Sequence, residues 1–359
     1  MRIVTGLALA VAVGAATACG RNPDAASRGS GATTVQDSAG VRIVLSRVPP
    51  RGFPVVATLS SAPTLTIGGA GAEGPSALSD VGGAVTMPDG RIVVADGGSR
   101  EVRFFDAQGR FLSATGGEGP GPGQFQSLSR MGWVASDTVW VADERAGQLS
   151  LVVAGGVARR DSFPEGLSVA GRFVDDAYLV VPRWSTALLG EGVSEGVQRD
   201  TVMWARWWPR QPAVQELGRF PHDEMMVVLR EDGPVAGVPP FGRRTSRAVG
   251  PDAFLVGDQM AFEIRRYRPD GTLAEILRLE GVDLTLTEAV KASVRPPRSE
   301  GDTSLVDRLW EGAPATRPAY TRLLLDRMGN LWVAEHVAGR DSPRNWLLFS
   351  PSGEAMGLV

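Results

Sequence analysis

The chain has 359 residues, 43% of them hydrophobic, with 37 basic against 40 acidic side chains and a formal net charge of −3. That length can bury a large core, and a chain without a basic excess is not built to hold nucleic acid through its phosphates. Cys19 is the only cysteine, so no disulfide within the chain supports the fold.

Met1-Arg2 supplies a positive start, and Ile3 to Ala18 is apolar and rich in small residues. A membrane-spanning helix needs roughly 20 apolar residues, so residues 1–18 read as a secretory signal. The run ends in ATACG. Cys19, between Ala18 and Gly20, resembles the lipidated cysteine of a bacterial lipoprotein signal, although Ala16 stands where such signals usually carry leucine. Read without the cysteine, Ala16-Thr17-Ala18 is an ordinary A-x-A cleavage site. The resemblance implies export across the inner membrane and anchoring in the periplasm or at the outer membrane. Residues 19–38 are small and polar, the composition of a flexible tether, which leaves 39–359 as the folded domain.

From there a pattern repeats. Residues 89–117 and 136–163 each give an alternating strand ending in V-A-D, a polar turn, a second alternating strand, another turn and a third strand. The pattern returns at 250–280, where FLVGD stands for IVVAD, and at 326–359. A degenerate copy runs from 171–184 through 200–209. Period-2 alternation broken by D-G, Q-G, G-N and S-G turns is the signature of antiparallel meanders. Repeated every 40 to 50 residues or so, it predicts an all-β fold, a β-propeller, whose sheets cover one another. The stretch GGEGPGPGQF, 116–125, links the outer strand of one copy to the inner strand of the next. Pro120 and Pro122 interrupt any dinucleotide fingerprint there, and no helix pattern follows.

Three segments break the repeat. Residues 191–200 read as a polar loop and 221–244 as a long irregular connection. Residues 283–318 read as a helical insertion over one face, with Thr285 or Thr303 as cap. Insertions of this size are more often functional than inert.

GGEGPGPGQF followed by VWVAD, and GRIVVADGGSREVRFFDAQGRFL, resemble NHL-type repeats. DSAGVRIVLS, PTLTIGG and VVADGGSREVRFFD resemble the bacterial six-bladed β-propeller lipoproteins of the extracytoplasmic space, over residues 36–359. The resemblance implies six blades, whereas five complete copies are recognisable after residue 79. VRIVLS and PTLTIGG are candidates for N-terminal strands that complete the blade made by the C-terminus.

Candidate site residues follow from the repeat. Asp96, Asp143, Asp258 and Glu335 each follow a second strand and by symmetry face one end of the channel. They suit either a ring of carboxylates for Ca2+ or Asx-turns that start each hairpin. His336 and Arg183 sit at the same mouth. His222, Asp223 and Glu224 form a candidate loop site. Two histidines cannot make a three-histidine zinc centre, and no G-x-S-x-G marks a serine hydrolase. Trp204, Trp207 and Trp208 suit either ligand stacking or blade packing. Arg243 and Arg244, with Arg265, Arg266 and Arg268, suit either an anion reader or a solvated face.

The expected function is a non-catalytic binding or scaffold module for a peptide, protein or carbohydrate partner. The expected form is a monomer held at the membrane by its lipid, with no cofactor and no nucleic acid. The alternative is a metal-dependent lactonase- or lyase-like enzyme that uses channel carboxylates.

Overall fold

Alternating apolar and polar residues produce strands wherever the repeat predicts them, and further strands where it does not. The computed structural model describes residues 33–60, 62–69, 71–183, 193–231, 233–295, 304–337 and 344–359. The signal, Cys19 and most of the tether lie outside the described residues. β1 (Thr33–Ser38) falls within the segment read as tether, and β2 (Val41–Arg47) is the VRIVLS strand.

Five antiparallel meanders of four strands follow. The first is β3 (Val81–Thr86), β4 (Ile92–Asp96), β5 (Glu101–Phe105) and β6 (Phe111–Gly116). The second is β7 (Arg130–Ala135), β8 (Thr138–Asp143), β9 (Gln148–Val153) and β10 (Gly156–Ser162). In the third, β11 (Leu167–Arg172) and β12 (Tyr178–Pro182) are separated from β14 (Thr201–Trp207) and β15 (Val214–Pro221) by β13 (Gly196–Gln198). β16 (Met225–Arg230) and β17 (Gly233–Gly237) precede the fourth meander, β18 (Ser246–Val249), β19 (Phe254–Gly257), β20 (Glu263–Tyr267) and β21 (Leu273–Glu280). Helices α1 (Glu288–Val294) and α2 (Ser304–Glu311) lead to the fifth, β22 (Arg322–Leu325), β23 (Leu331–Ala334), β24 (Trp346–Phe349) and β25 (Ala355–Leu358).

These sheets are the blades of a β-propeller, and the burial shows why they need one another. Four apolar clusters each join two successive blades. Val93, Phe104 and Val141 join the first and second; Trp140, Tyr178 and Trp207 the second and third. Trp204, Phe220 and Phe254 join the third and fourth; Leu255, Leu331 and Phe349 the fourth and fifth. Trp204 and Trp207 are 2% and 1% exposed, so these tryptophans pack blades. Between the fifth and first blades, the Arg327 guanidinium donates to the Thr86 carbonyl and lies over the Trp133 ring.

The N-terminal segment takes a different route from the one expected. β2 pairs in parallel with β21, so β1 and β2 extend the fourth blade rather than the fifth. The fifth receives a single bridge, Val55 to Leu358. PTLTIGG forms no strand; Leu65 and Ile67 pack beside Gly109 of the first blade. The described residues of 41–78 thus form an outer belt, ending where Arg103 Nη1 donates to the carbonyls of Pro75 (2.9 Å) and Ala77 (2.7 Å).

GGEGPGPGQF is a turn-rich crossing from rim to axis. Gly116 and Gly117 have φ of 126° and 124°, which only glycine adopts readily. Phe125 is fully buried at its end beneath the Arg160 guanidinium.

The connection 221–244 is not irregular. β16 and β17 form a hairpin, and β16 also pairs with β13 from the 191–200 loop. The helices in 283–318 are present as expected, but Thr287 caps α1 by accepting from the Val290 amide at 3.2 Å. Thr285 does not cap it, and Thr303 lies outside the described residues.

Gly257 has no room for a side chain, because a Cβ there would fall within the Tyr320 hydroxyl, which donates to the Glu263 carbonyl at 2.8 Å. Gly257→Ala is expected to cost about 2–4 kcal/mol in urea unfolding, from overpacking plus loss of that hydrogen bond. At Gly155 a Cβ would meet nothing within 4 Å, so Gly155→Ala should be close to neutral. Equal costs at the two positions would contradict the packing described.

Candidate functional site

Strand parity decides where the insertions lie. In a four-stranded meander the first and third strands start at one end, and the second and fourth finish there. Connections between blades, and between second and third strands, therefore all emerge at that end. All three insertions use it: 183–200 inside the third blade, 222–245 between the third and fourth, and 281–321 between the fourth and fifth. The three-stranded sheet and two helices together cap this end over blades three to five.

The predicted carboxylates are at this end, but they do not converge. Asp96 is fully buried and accepts from the Ser79 amide (2.9 Å), the Gly98 amide (3.3 Å) and the Ser99 hydroxyl (2.9 Å), with Arg103 at 3.3 Å. Asp143, 2% exposed, accepts from the amides of Gln126 (2.7 Å), Ser127 (3.0 Å) and Ala146 (3.0 Å) and from the Ser127 hydroxyl (3.0 Å). Both carboxylates tie the incoming linker to the hairpin turn. Among the described residues the Asp258 carboxylate accepts only from the Met260 amide (3.0 Å), and Glu335 accepts from the Asn345 side-chain amide (2.9 Å). Among the described residues no three His, Cys, Asp or Glu side chains come together in a metal-sized group.

The loop residues pin the cap. The His222 carbonyl accepts from Arg199 Nε (2.8 Å), and Asp223 from the Thr245 amide (3.0 Å). Glu224 accepts from the Arg243 amide (2.8 Å) and pairs with its guanidinium (3.3 Å). Arg244 stands 3.8 Å from Asp223, while Arg265 and Arg266 pair with Glu263 and Glu275. Most arginines that the sequence offered as an anion reader are therefore held by internal carboxylates.

Several concavities open at the capped end, among them the following two. One, of about 460 Å³, lies between cap and channel mouth. Phe241, Leu309 and Trp310 are among its apolar walls, and Gln259, Arg244 and His336 supply polar groups. Phe241 meets Trp310 edge-on at 6.3 Å and the His336 ring at 5.6 Å. Gln259, 2% exposed, accepts from the Arg244 amide (2.9 Å) and donates to the Ser246 hydroxyl (2.8 Å), which fixes the floor. The other concavity, of about 810 Å³, is polar and lies over the first three blades; Asp80, Arg100, Glu144, Arg145 and Arg183 line it. Arg183 donates from Nε to the Leu167 carbonyl at 3.0 Å and lies over the Phe163 ring.

Sequence reasoning missed Gln259, Phe241, Trp310 and Arg247. The last lies in β18, just before the copy recognised at 250–280. Burial, followed by the charge of Arg130, pushes the Arg247 guanidinium down to about 10; Asp223 and Glu144 act in the opposite direction. It remains charged at neutral pH, with the Trp204 ring 5.9 Å away. His336 is half-buried, and its Nδ1 has no partner among the described residues. Burial first, then the Arg317 and Arg344 charges, hold its pKa below the ordinary value of 6.5.

No protein-family model matches the chain, and no curated protein matches it. Among solved structures it is similar to a Bacteroides fragilis protein described as exported, at 11% identity over 88% of this chain and 80% of that one, TM-score 0.44. An inactive virginiamycin B lyase of Staphylococcus aureus with quinupristin gives 12% identity over 77% and 69%, TM-score 0.33. The calcium-binding protein regucalcin of Agrobacterium tumefaciens gives 11% over 77% and 73%, TM-score 0.33.

Removing Asp143 leaves its buried donors unmatched, so Asp143→Ala is expected to cost about 2–4 kcal/mol in chemical denaturation. Because the carboxylate is buried and its donors are partly buried, this is a loss of fold stability, with or without chelator; a loss seen only in chelator-free buffer would contradict the capping role. For His336 the folded state disfavours the proton that the unfolded state accepts, so stability falls as pH drops below about 6.5. Thermal unfolding between pH 7 and 5 should show a shallower decline in His336→Gln than in the parent chain. Identical slopes would contradict the assignment.

Proposed function

We propose that this chain is a non-catalytic recognition propeller, tethered outside the cytoplasm through a lipid on Cys19, whose capped end binds a peptide, protein or carbohydrate partner. The observation that carries the reading is the composition of that end. Asp96, Asp143, Asp223 and Glu224 are committed to N–H donors. The groups left facing the concavities include aromatic rings and guanidiniums. Aromatic and arginine side chains concentrate binding energy at protein interfaces. A calcium ion takes six to eight oxygens, and the buried carboxylates here already accept several hydrogen bonds each. Their donor set does not fit the metal-dependent alternative. No described helix is long and apolar enough to cross a membrane, in keeping with attachment by a lipid. Thr33 pairs with Ser46 near the end of β2, so the tether would leave from the capped end.

The test is selection of a displayed peptide library and a glycan array against the full-length protein. Recognition at the cap predicts enriched ligands whose affinity falls at least about tenfold in Trp310→Ala and Phe241→Ala. Ligands unaffected by both variants, or chelator-sensitive turnover of a lactone panel, would overturn the reading.

A further inference from the structure

The polar concavity has a feature that the cap cavity lacks. Arg100, Arg145 and Arg183 reach it from equivalent places in three successive blades, the turn after the second strand. Arginines elsewhere in the chain are commonly neutralised: Arg103 by Asp96 and Glu101, Arg159 by Asp161, Arg206 by Asp175, Arg278 by Glu263. The side chains of Arg100 and Arg145 make neither a hydrogen bond nor an ion pair to any described residue, and Arg100 Nε is buried without a partner. The terminal nitrogens of Arg183 likewise make no hydrogen bond to a described residue. Arg247 approaches from the fourth blade, close enough for its charge to interact with Arg130 and Glu144, and it too makes no hydrogen bond to a described residue.

Arg145 is exposed to solvent, but Arg100 and Arg183 are partly buried, and leaving a cationic group unpaired in such a setting costs stability. Several arginines unpaired at one place, in a chain that pairs so many others, point to a ligand that supplies the missing acceptors. Two carboxylates, Asp80 and Glu144, share the lining. Glu144 accepts from the Ser168 hydroxyl and stands 3.9 Å from Arg130. Three guanidiniums against two carboxylates leave a modest positive excess, which suits carboxylate monoanions better than a phosphate dianion. The guanidinium fork also matches a carboxylate bidentately. No aromatic ring lines this concavity, so a sugar would lack the stacking platform that carbohydrate recognition favours. Peptide carboxylates need none.

We infer that the concavity over blades one to three binds the carboxylates of an acidic peptide segment, paired with Arg100, Arg145 and Arg183. The inference deepens the recognition reading and rests on it: the apolar cavity under the cap would take a side chain of the same partner.

The test measures binding of fluorescein-labelled hexaglutamate to the full-length protein by anisotropy, with hexaglutamine and a galacturonate oligomer as comparisons. Hexaglutamate should bind, weakening as salt is raised, and hexaglutamine should not. Arg100→Gln with Arg145→Gln should lower affinity at least about tenfold, while the exposed Arg110→Gln, paired with Asp106, should change nothing. Thermal stability of Arg100→Gln should be equal to or above that of the parent chain, because an unpaired buried donor is removed. A drop in stability would instead mark Arg100 as structural and overturn the inference. Tighter binding of the galacturonate oligomer than of hexaglutamate would replace the peptide by an acidic sugar and overturn it as stated. If hexaglutamate fails while library-selected neutral peptides still bind through Trp310, this inference falls and the recognition reading stands. If neither binds, both fall.

Discussion

Each four-stranded sheet of this protein carries apolar residues on both faces and is too thin to shield either from water. That constraint organises the molecule. Val93 and Phe104 are covered only because the second blade stands against the first, and Trp207 only because the second and third meet around it. Burial of large side chains at these junctions supplies the stability that a chain without disulfides must find in its core; removing one such ring typically costs about 3–5 kcal/mol. The junction between the last and first blades is made differently. It relies on Arg327, which grips the end of β3 and covers Trp133, and on an outer belt drawn from the N-terminal segment.

The same geometry separates the interblade core from the capped end. Because strand parity sends the interblade connections to one end, insertions there do not disturb the clusters between blades. The cap sheet and helices add a wall to that end without entering the core. The acidic residue after the second strand does structural work in the first two blades, where it gathers amides of the incoming linker. In the fourth blade Gln259 takes over part of this stitching, and among the described residues the Asp258 carboxylate keeps a single turn contact. Equivalent positions in a repeat thus carry different duties once the linkers differ.

Much of the fold was legible in the sequence. Alternation and glycine turns gave three strands in each of the first, second, fourth and fifth blades, without the innermost one, and the degenerate third copy caught β12 and β14 but not β15. What escaped depends on partners distant in the chain. β13 is three residues long and forms only because β16 lies beside it, so 191–200 and 221–244 looked irregular. VRIVLS was read correctly as a strand, but its docking on β21 rather than on the last blade depends on an exposed edge that the sequence does not display. At the site, repeat symmetry put Asp96, Asp143, Asp258 and Glu335 at one end, yet whether a carboxylate faces a metal or its own backbone amides is invisible to spacing. Arg247, Phe241 and Trp310 carried no motif. Only the fold brings a strand arginine, a connection phenylalanine and a helix tryptophan to the same end.

The central claim is that the blades form the scaffold and that the capped end is the surface that meets the partner. Hydrogen exchange on the full-length protein, with and without a selected ligand, tests this most directly. The account predicts slowed exchange in the linker and turn amides at 126–129 and 144–147 and in the cap at 239–244, with the turns at the opposite end unchanged. Protection confined to the opposite turns, at 87–91, 135–138 and 326–330, would contradict it.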